Sequence, residues 1–194
     1  MFETERFIES CIAALRERTP QLAVKELVGE AVRSAGEVER ALGTPSESGI
    51  TTIHRSDELT ILNVVWAPLM NIYPHDHRTW AVIGIYGGQE DNAFYRRRKD
   101  EPGLDLANER SLSEEETISL GEDVIHAVTN PRRKFTGAIH VYGGDFFAIE
   151  RSEWDSPMAA EQRYSVDHAM RTFAEANERA KELLARGETG LPHP

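Results

Sequence analysis

The apolar positions change rhythm twice along the chain. In residues 2–43 they recur every three or four places, as Phe7, Ile8, Cys11, Ile12 and Leu15, then Leu22, Val24, Leu27, Val28, Ala31 and Val32. That spacing predicts two or three helices, the first from about Glu3 to Arg18 with a break at Thr19-Pro20. Gly43-Thr44-Pro45-Ser46 ends the helical part. From Gly49 to about Glu150 the runs become short and rich in β-branched and aromatic residues, separated by Gly, Pro, Asn and Asp. The strand candidates are "TTIHR", "LTILNVVWAP", "WAVIGIYGG", "NAFYRRR", "ERSLSEEETISL", "DVIHAVTN", "GAIHVYGG" and "DFFAIER". Such a series with no helix between its members predicts an antiparallel barrel or jelly roll, with the flanking helices packed outside it.

After Pro157 the helical period returns in "SVDHAMRTFAEANERAKELLARG", with Val166, Met170, Phe173, Ala174, Ala180, Leu183 and Leu184 as its apolar positions and Gly187 as its stop. The final "ETGLPHP" reads as a loose tail. The expectation is one domain over residues 1–194, with a helical segment at 1–45, a β-barrel at 50–150 and a second helical segment at 158–187.

Charge narrows the partners. Thirty-three acidic against 22 basic residues give a formal net charge of -11, which disfavours nucleic acid and anionic membrane. The basic run Tyr95-Arg96-Arg97-Arg98-Lys99 is too short to reverse that and reads as a solvated strand end. One cysteine, Cys11, cannot form an intrachain disulfide, and it sits on an apolar helix face as a structural thiol. With no visible signal peptide or bilayer-length apolar run, a cytoplasmic location is the expectation, as a monomer or small homo-oligomer.

Candidate chemistry is concentrated in "YPHDHRTWAVIGIYGGQEDN". In an extended segment, side chains at i and i+2 share a face, so His75 and His77 point one way and Asp76 the other, toward a neighbouring strand or a ligand ring. Two imidazoles converging suggest a metal, and "GEDVIHAVTNP" offers His126 as a third ligand.

His-x-His followed by a later Gly-x4-His-x3-Asn resembles the two-part signature of a cupin. The resemblance implies a double-stranded β-helix, a jelly-roll barrel with N-terminal and C-terminal flanking helices, whose ligands meet at its mouth. A cupin usually has a glutamate about five residues after its second histidine, and Val82 stands there. Three neutral imidazoles would leave a divalent metal its full charge and open positions.

"PHDH", "IHAVTN" and "AIHVY" together are similar to the thiol dioxygenases, the family of cysteine dioxygenase and 3-mercaptopropionate dioxygenase. "ILNVVWAP", with Trp66, resembles the strand leading into the His-x-His. The likeness spans about Gly49 to Glu150. It implies Fe(II) on His75, His77 and His126, a hydrogen-bonded pair of His140 and Tyr142 above the metal, and oxidation of a small thiol carboxylic acid to its sulfinate with O2. Period-2 geometry agrees in placing His140 and Tyr142 on one face.

Three departures qualify it: Ala138 replaces a serine two residues before the network histidine, no cysteine near Val82 can crosslink to Tyr142, and Arg55 aligns with the substrate-binding arginine only across a shorter loop. Arg55 is the substrate-binding candidate on that basis. Trp66, Trp80, Tyr86 and Trp154 read as packing residues, and His168 and His193 have no evident partner. Two other readings stay open: an iron cupin oxidising a non-thiol acid, and a metal-binding sensor without turnover. Three imidazoles also suit nickel, cobalt, zinc or copper.

Overall fold

The computed structural model describes residues 1–187; the "ETGLPHP" tail, apart from its position in the sequence, and His193 lie outside the described residues. Helices α1 (Thr4–Ala14), α2 (Pro20–Val32) and α3 (Ala35–Leu42) come first. Proline at the start of α2 loses nothing there, because the first amides of a helix have no partner within it. Eleven strands follow: β1 (Gly49–Arg55), β2 (Leu59–Trp66), β3 (Asn71–Asp76), β4 (Ala81–Gly87), β5 (Gln89–Arg97), β6 (Leu104–Ser113), β7 (Thr117–Leu120), β8 (Ile125–Thr129), β9 (Thr136–Gly143), β10 (Ser152–Glu153) and β11 (Gln162–Arg163). Helix α4 (Val166–Ala185) closes the described chain.

The strands form two sheets, ordered β1-β2-β9-β4-β7 and β11-β10-β3-β8-β5-β6, and every pairing is antiparallel. From β2 onward the chain passes repeatedly from one sheet to the other, which is the winding of a double-stranded β-helix. Its core is all β, with flanking helices.

Side-chain alternation explains why β2, β4 and β9 read as continuous apolar runs. On β9, Ala138 and Tyr142 join the barrel interior while Ile139 and Val141 face outward, toward α2 and the cluster it forms with α1. On β4, Ala81, Ile83 and Ile85 face inward and Val82 and Tyr86 outward. Both faces of this sheet are covered, so neither needs polar residues.

Gly84 marks how closely α2 approaches. A Cβ there would lie 2.5 Å from Val28 Cγ1 and 2.9 Å from Val32 Cγ1. Gly84→Ala is expected to destabilise the fold by about 1–3 kcal/mol through overpacking, seen as a lower thermal midpoint. An unchanged midpoint would show that α2 shifts freely.

Three expectations are corrected. "ERSLSEEETISL" is two strands, because the chain turns between them with Glu115 at φ 70°. "DFFAIER" is not a strand: Gly144 takes φ 79°, the Asp145 carboxylate accepts from Phe147 N, and Ala148 N donates to Asp145 O, which folds the segment into turns. Helix α4 does not pack on the outer face. Its buried residues are Ala169, Phe173, Ala176 and Ala180, small enough around Phe173 for the helix to close on the interior, while Val166 and Met170 are exposed. Phe173 stacks on Trp66 with centroids 5.5 Å apart, and Asn177 holds Ser48 by Ser48 N to Oδ1 at 2.7 Å and Nδ2 to Ser48 O at 2.9 Å. Ser165 Oγ caps the helix by accepting from His168 N, and Gly187, at φ 67°, ends it.

Candidate metal centre

Strand β3 and the residue after it carry the first two histidines, and β8 carries the third. His75 pairs in register with His126 across the β3–β8 ladder, after an irregularity between Ile72 and His75 that re-aims the strand. His77 lies just beyond the strand end. Asp76 points away, and its carboxylate accepts from Ser152 N at 2.7 Å, Arg78 Nε at 2.7 Å and Arg97 Nη2 at 3.0 Å. It therefore anchors the strand end to the β10 segment.

The three rings face one point. Centroid separations are 5.2 Å for His75 and His77, 4.8 Å for His75 and His126, and 4.9 Å for His77 and His126. One nitrogen from each lies within 4.8 Å of the others, and all three residues are buried. His75 Nδ1 donates to Tyr73 O at 3.1 Å, and His126 Nδ1 donates to Asn92 Oδ1 at 2.7 Å. Each Nε2 is left as a lone-pair atom. His126 Nε2 and His77 Nε2 then approach to 3.2 Å. Two nitrogens about 2.1 Å from one ion at tetrahedral or octahedral angles lie about 3.0–3.4 Å apart, so the donors fit a shared cation.

Burial keeps these rings neutral, as ligation needs. Desolvation lowers His75 to about 4, helped by the Arg151 charge, and lowers His77 and His126 well below the usual histidine range, with the neighbouring imidazoles adding to it. In the unfolded chain all three would take up protons near pH 6.5. The unfolded state therefore binds more protons between pH 6.5 and about 4, so stability is full above that window and is lost as the pH falls through it. For His75 alone, going from pH 7 to 5 is expected to remove about 2 kcal/mol from the metal-free protein. Urea midpoints at the two pH values check this, and equal midpoints would refute it.

His140 and Tyr142, on β9, meet the group from the opposite sheet. Tyr142 Oη lies 2.9 Å from His140 Nδ1, its ring stands edge-on to His77 at 5.0 Å, and it stacks on Phe146 at 3.9 Å. Burial raises the Tyr142 pKa well above that of free phenol, so the hydroxyl keeps its proton. With Trp66 these residues line a small cavity of about 30 Å³, whose walls also include Phe146, Tyr164 and Phe173. A larger groove of about 840 Å³ along Arg96 to Ala107 lies on the surface, where Arg98 is paired with Glu101 and Asp105.

Arg55 is not brought to this site. Its guanidinium makes two 2.8 Å bonds to the Asp145 carboxylate at the surface, where the side chain is half exposed. The arginine near the imidazoles is Arg151, only 8% exposed. Its guanidinium lies between the rings of Phe146 at 4.0 Å and Tyr164 at 3.9 Å, and Nη1 donates to Phe146 O at 2.8 Å. Nε is buried without a hydrogen-bond partner, and among the described residues no carboxylate forms an ion pair with it.

Sequence reasoning also missed Glu90 and Asn92. Both are buried on β5 and face the interior with Phe94, which stacks on His126. The period-2 spacing of Glu90, Asn92 and Phe94 was the available signal. Trp66, read as packing, also donates Nε1 to Glu90 Oε2 at 2.9 Å. His168 gains partners as well: Nδ1 meets Glu153 Oε1 at 2.9 Å and its ring stacks on Tyr73 at 4.1 Å.

Among the described residues, no helix is long and apolar enough to cross a membrane. No family model matches the chain. Similar solved structures include a Bacillus halodurans protein at 11% identity and TM-score 0.45, covering 60% of this chain and 77% of that one. A Klebsiella pneumoniae protein with a double-stranded β-helix domain follows at 12% and 0.43, covering 58% and 83%. An RmlC-like cupin from Methanocaldococcus jannaschii follows at 8% and 0.41, covering 54% and 86%. The fold class rests on the chain's own strand order, which makes it a double-stranded β-helix with flanking helices.

Proposed function

We propose that the chain is a cupin-type mononuclear non-haem iron dioxygenase that oxidises a small thiol carboxylic acid, of the cysteine or 3-mercaptopropionate type, to its sulfinate. The observation that carries this reading is Arg151, a buried guanidinium whose charge helps hold His75 and His77 neutral and for which no carboxylate ion pair is found among the described residues. An arginine cannot shed its charge by losing a proton, so a site of this kind favours an anionic ligand. A ferrous ion held by His75, His77 and His126 supplies, when bound, a net positive charge, open positions and the redox steps that dioxygen chemistry requires.

The protein's own groups do the rest. Arg151 pairs with the substrate carboxylate and so fixes which end of the molecule faces the imidazoles. Tyr142, whose hydroxyl bonds to His140 Nδ1 at the cavity wall, can turn its proton from that ring nitrogen toward negative charge that develops on the substrate. Phe146, Tyr164 and Phe173 make part of the cavity wall apolar, which leaves bulk water few partners there. The net reaction is R–SH plus O2 giving R–SO2H; sulfur loses four electrons, dioxygen accepts them, and no external reductant enters.

The test is O2 uptake by the iron-loaded protein with cysteine, 3-mercaptopropionate, cysteamine, mercaptosuccinate or non-thiol carboxylic acids. Uptake is expected to be slow alone and much faster with one of the carboxylated thiols, with sulfinate as product. Acceleration only by non-thiol acids would keep the oxygenase and remove the thiol. No acceleration with full metal would favour a sensor.

A further inference from the structure

A carboxylate buried in a barrel is costly unless its oxygens are satisfied. Glu90 is fully buried, and both its oxygens are in use: Oε2 accepts from Trp66 Nε1 at 2.9 Å, and Oε1 accepts from Asn92 Nδ2 at 3.0 Å. Oε2 also lies 3.7 Å from His140 Nε2, a buried nitrogen with no hydrogen-bond partner of its own.

The Asn92 contact sets a direction. An amide has one donor end and one acceptor end, and the carboxylate takes the donor end. Asn92 Oδ1 is thereby turned to His126, where it accepts from Nδ1 at 2.7 Å. The His126 proton is held on Nδ1, and Nε2 is free to bind a metal. On its other side Glu90 is the only carboxylate paired with His140 among the described residues. A proton on His140 Nε2 faces it, which leaves Nδ1 to accept from Tyr142 Oη.

We infer that Glu90 is a positioning residue that sets two ring tautomers at once, that of His126 through Asn92 and that of His140 by its carboxylate charge 3.7 Å from Nε2. The inference rests on the reading of His75, His77 and His126 as metal ligands, but not on the thiol chemistry. Glu90→Gln is the informative change. An amide at position 90 can turn its NH2 toward Asn92, which then flips and offers its own NH2 to His126 Nδ1. The His126 proton moves to Nε2, where it blocks the metal.

The test uses long-range 1H–15N spectra of the imidazoles in the full chain without metal, together with Co(II) titration. For Glu90→Gln we expect His126 to lose its single Nδ1–H form, His140 to shift toward Nδ1–H, and Co(II) to bind about 10- to 100-fold more weakly. Glu90→Asp, which restores the carboxylate, should recover the native His126 pattern at least in part. Asn92→Ala should alter His126 and leave His140 unchanged, and it carries the test if Glu90→Gln does not fold. Unchanged tautomers in Glu90→Gln would overturn the inference, whether or not Co(II) affinity falls, because a loss with intact tautomers reports only a loosened barrel. No readout uses a thiol or O2, so failure of the dioxygenase reading and failure of this one are distinguishable.

Discussion

Replacing His75, His77 or His126 singly with alanine is expected to strip most of the bound metal, whereas His140→Ala leaves metal content near that of the native protein. The difference follows from where the lone pairs point. His75 and His126 spend Nδ1 on Tyr73 O and Asn92 Oδ1, and His77 brings Nε2 to 3.2 Å from His126 Nε2. Each ring supplies about a third of the coordination from the protein, so losing one affects the whole binding free energy. His140 instead directs Nδ1 to Tyr142 Oη and Nε2 toward Glu90. Metal analysis of protein purified without a His tag, backed by circular dichroism to show folding, decides the matter. Equal metal loss in His140→Ala, with one of the three retaining its metal, would refute the assignment.

The parts of the site that could be read from sequence are those carried by short-range periodicity. His-x-His on a strand specifies a shared face, and so does His140-x-Tyr142, because alternation is a property of extended backbone whatever surrounds it. The two-sheet core was legible in the same way from apolar runs broken by turn residues. What depends on pairing between distant segments was not. Glu90, beyond the Gly87-Gly88 turn, has no visible tie to the histidines until β5 is placed beside β8, where Asn92 lies opposite Val128 and reaches His126. Arg55 and Arg151 are alike as residues, and only the packing of the 144–151 turns separates them. One meets Asp145 at the surface, and the other is enclosed between Phe146 and Tyr164. Helix α4 was expected outside because the strand series alone predicted the barrel, yet its buried stripe is mostly alanine, which lets the helix come close enough to pack on the interior.

That separation of the two arginines leads to the sharpest test of the substrate. Arg151→Met keeps most of the side-chain volume between Phe146 and Tyr164 and removes the charge, so it removes the ion pair without opening a cavity. Losing one partner of a buried charge pair costs about 2–5 kcal/mol, which is about thirtyfold to a few thousandfold in kcat/KM. That loss is expected for cysteine and 3-mercaptopropionate, which carry a carboxylate. Cysteamine has no carboxylate, so its turnover should be unchanged or improved in Arg151→Met. Arg151→Lys should fall between, since a lysine keeps the charge but not the planar fork that matches a carboxylate. Arg55→Ala should leave every substrate within about twofold, because that guanidinium is already neutralised by Asp145 at the surface. Measuring kcat/KM by O2 uptake for the three thiols across these variants separates the roles. If Arg151→Met lowers cysteamine and 3-mercaptopropionate equally, Arg151 is a packing residue between two rings, and the argument for an anionic substrate fails with it.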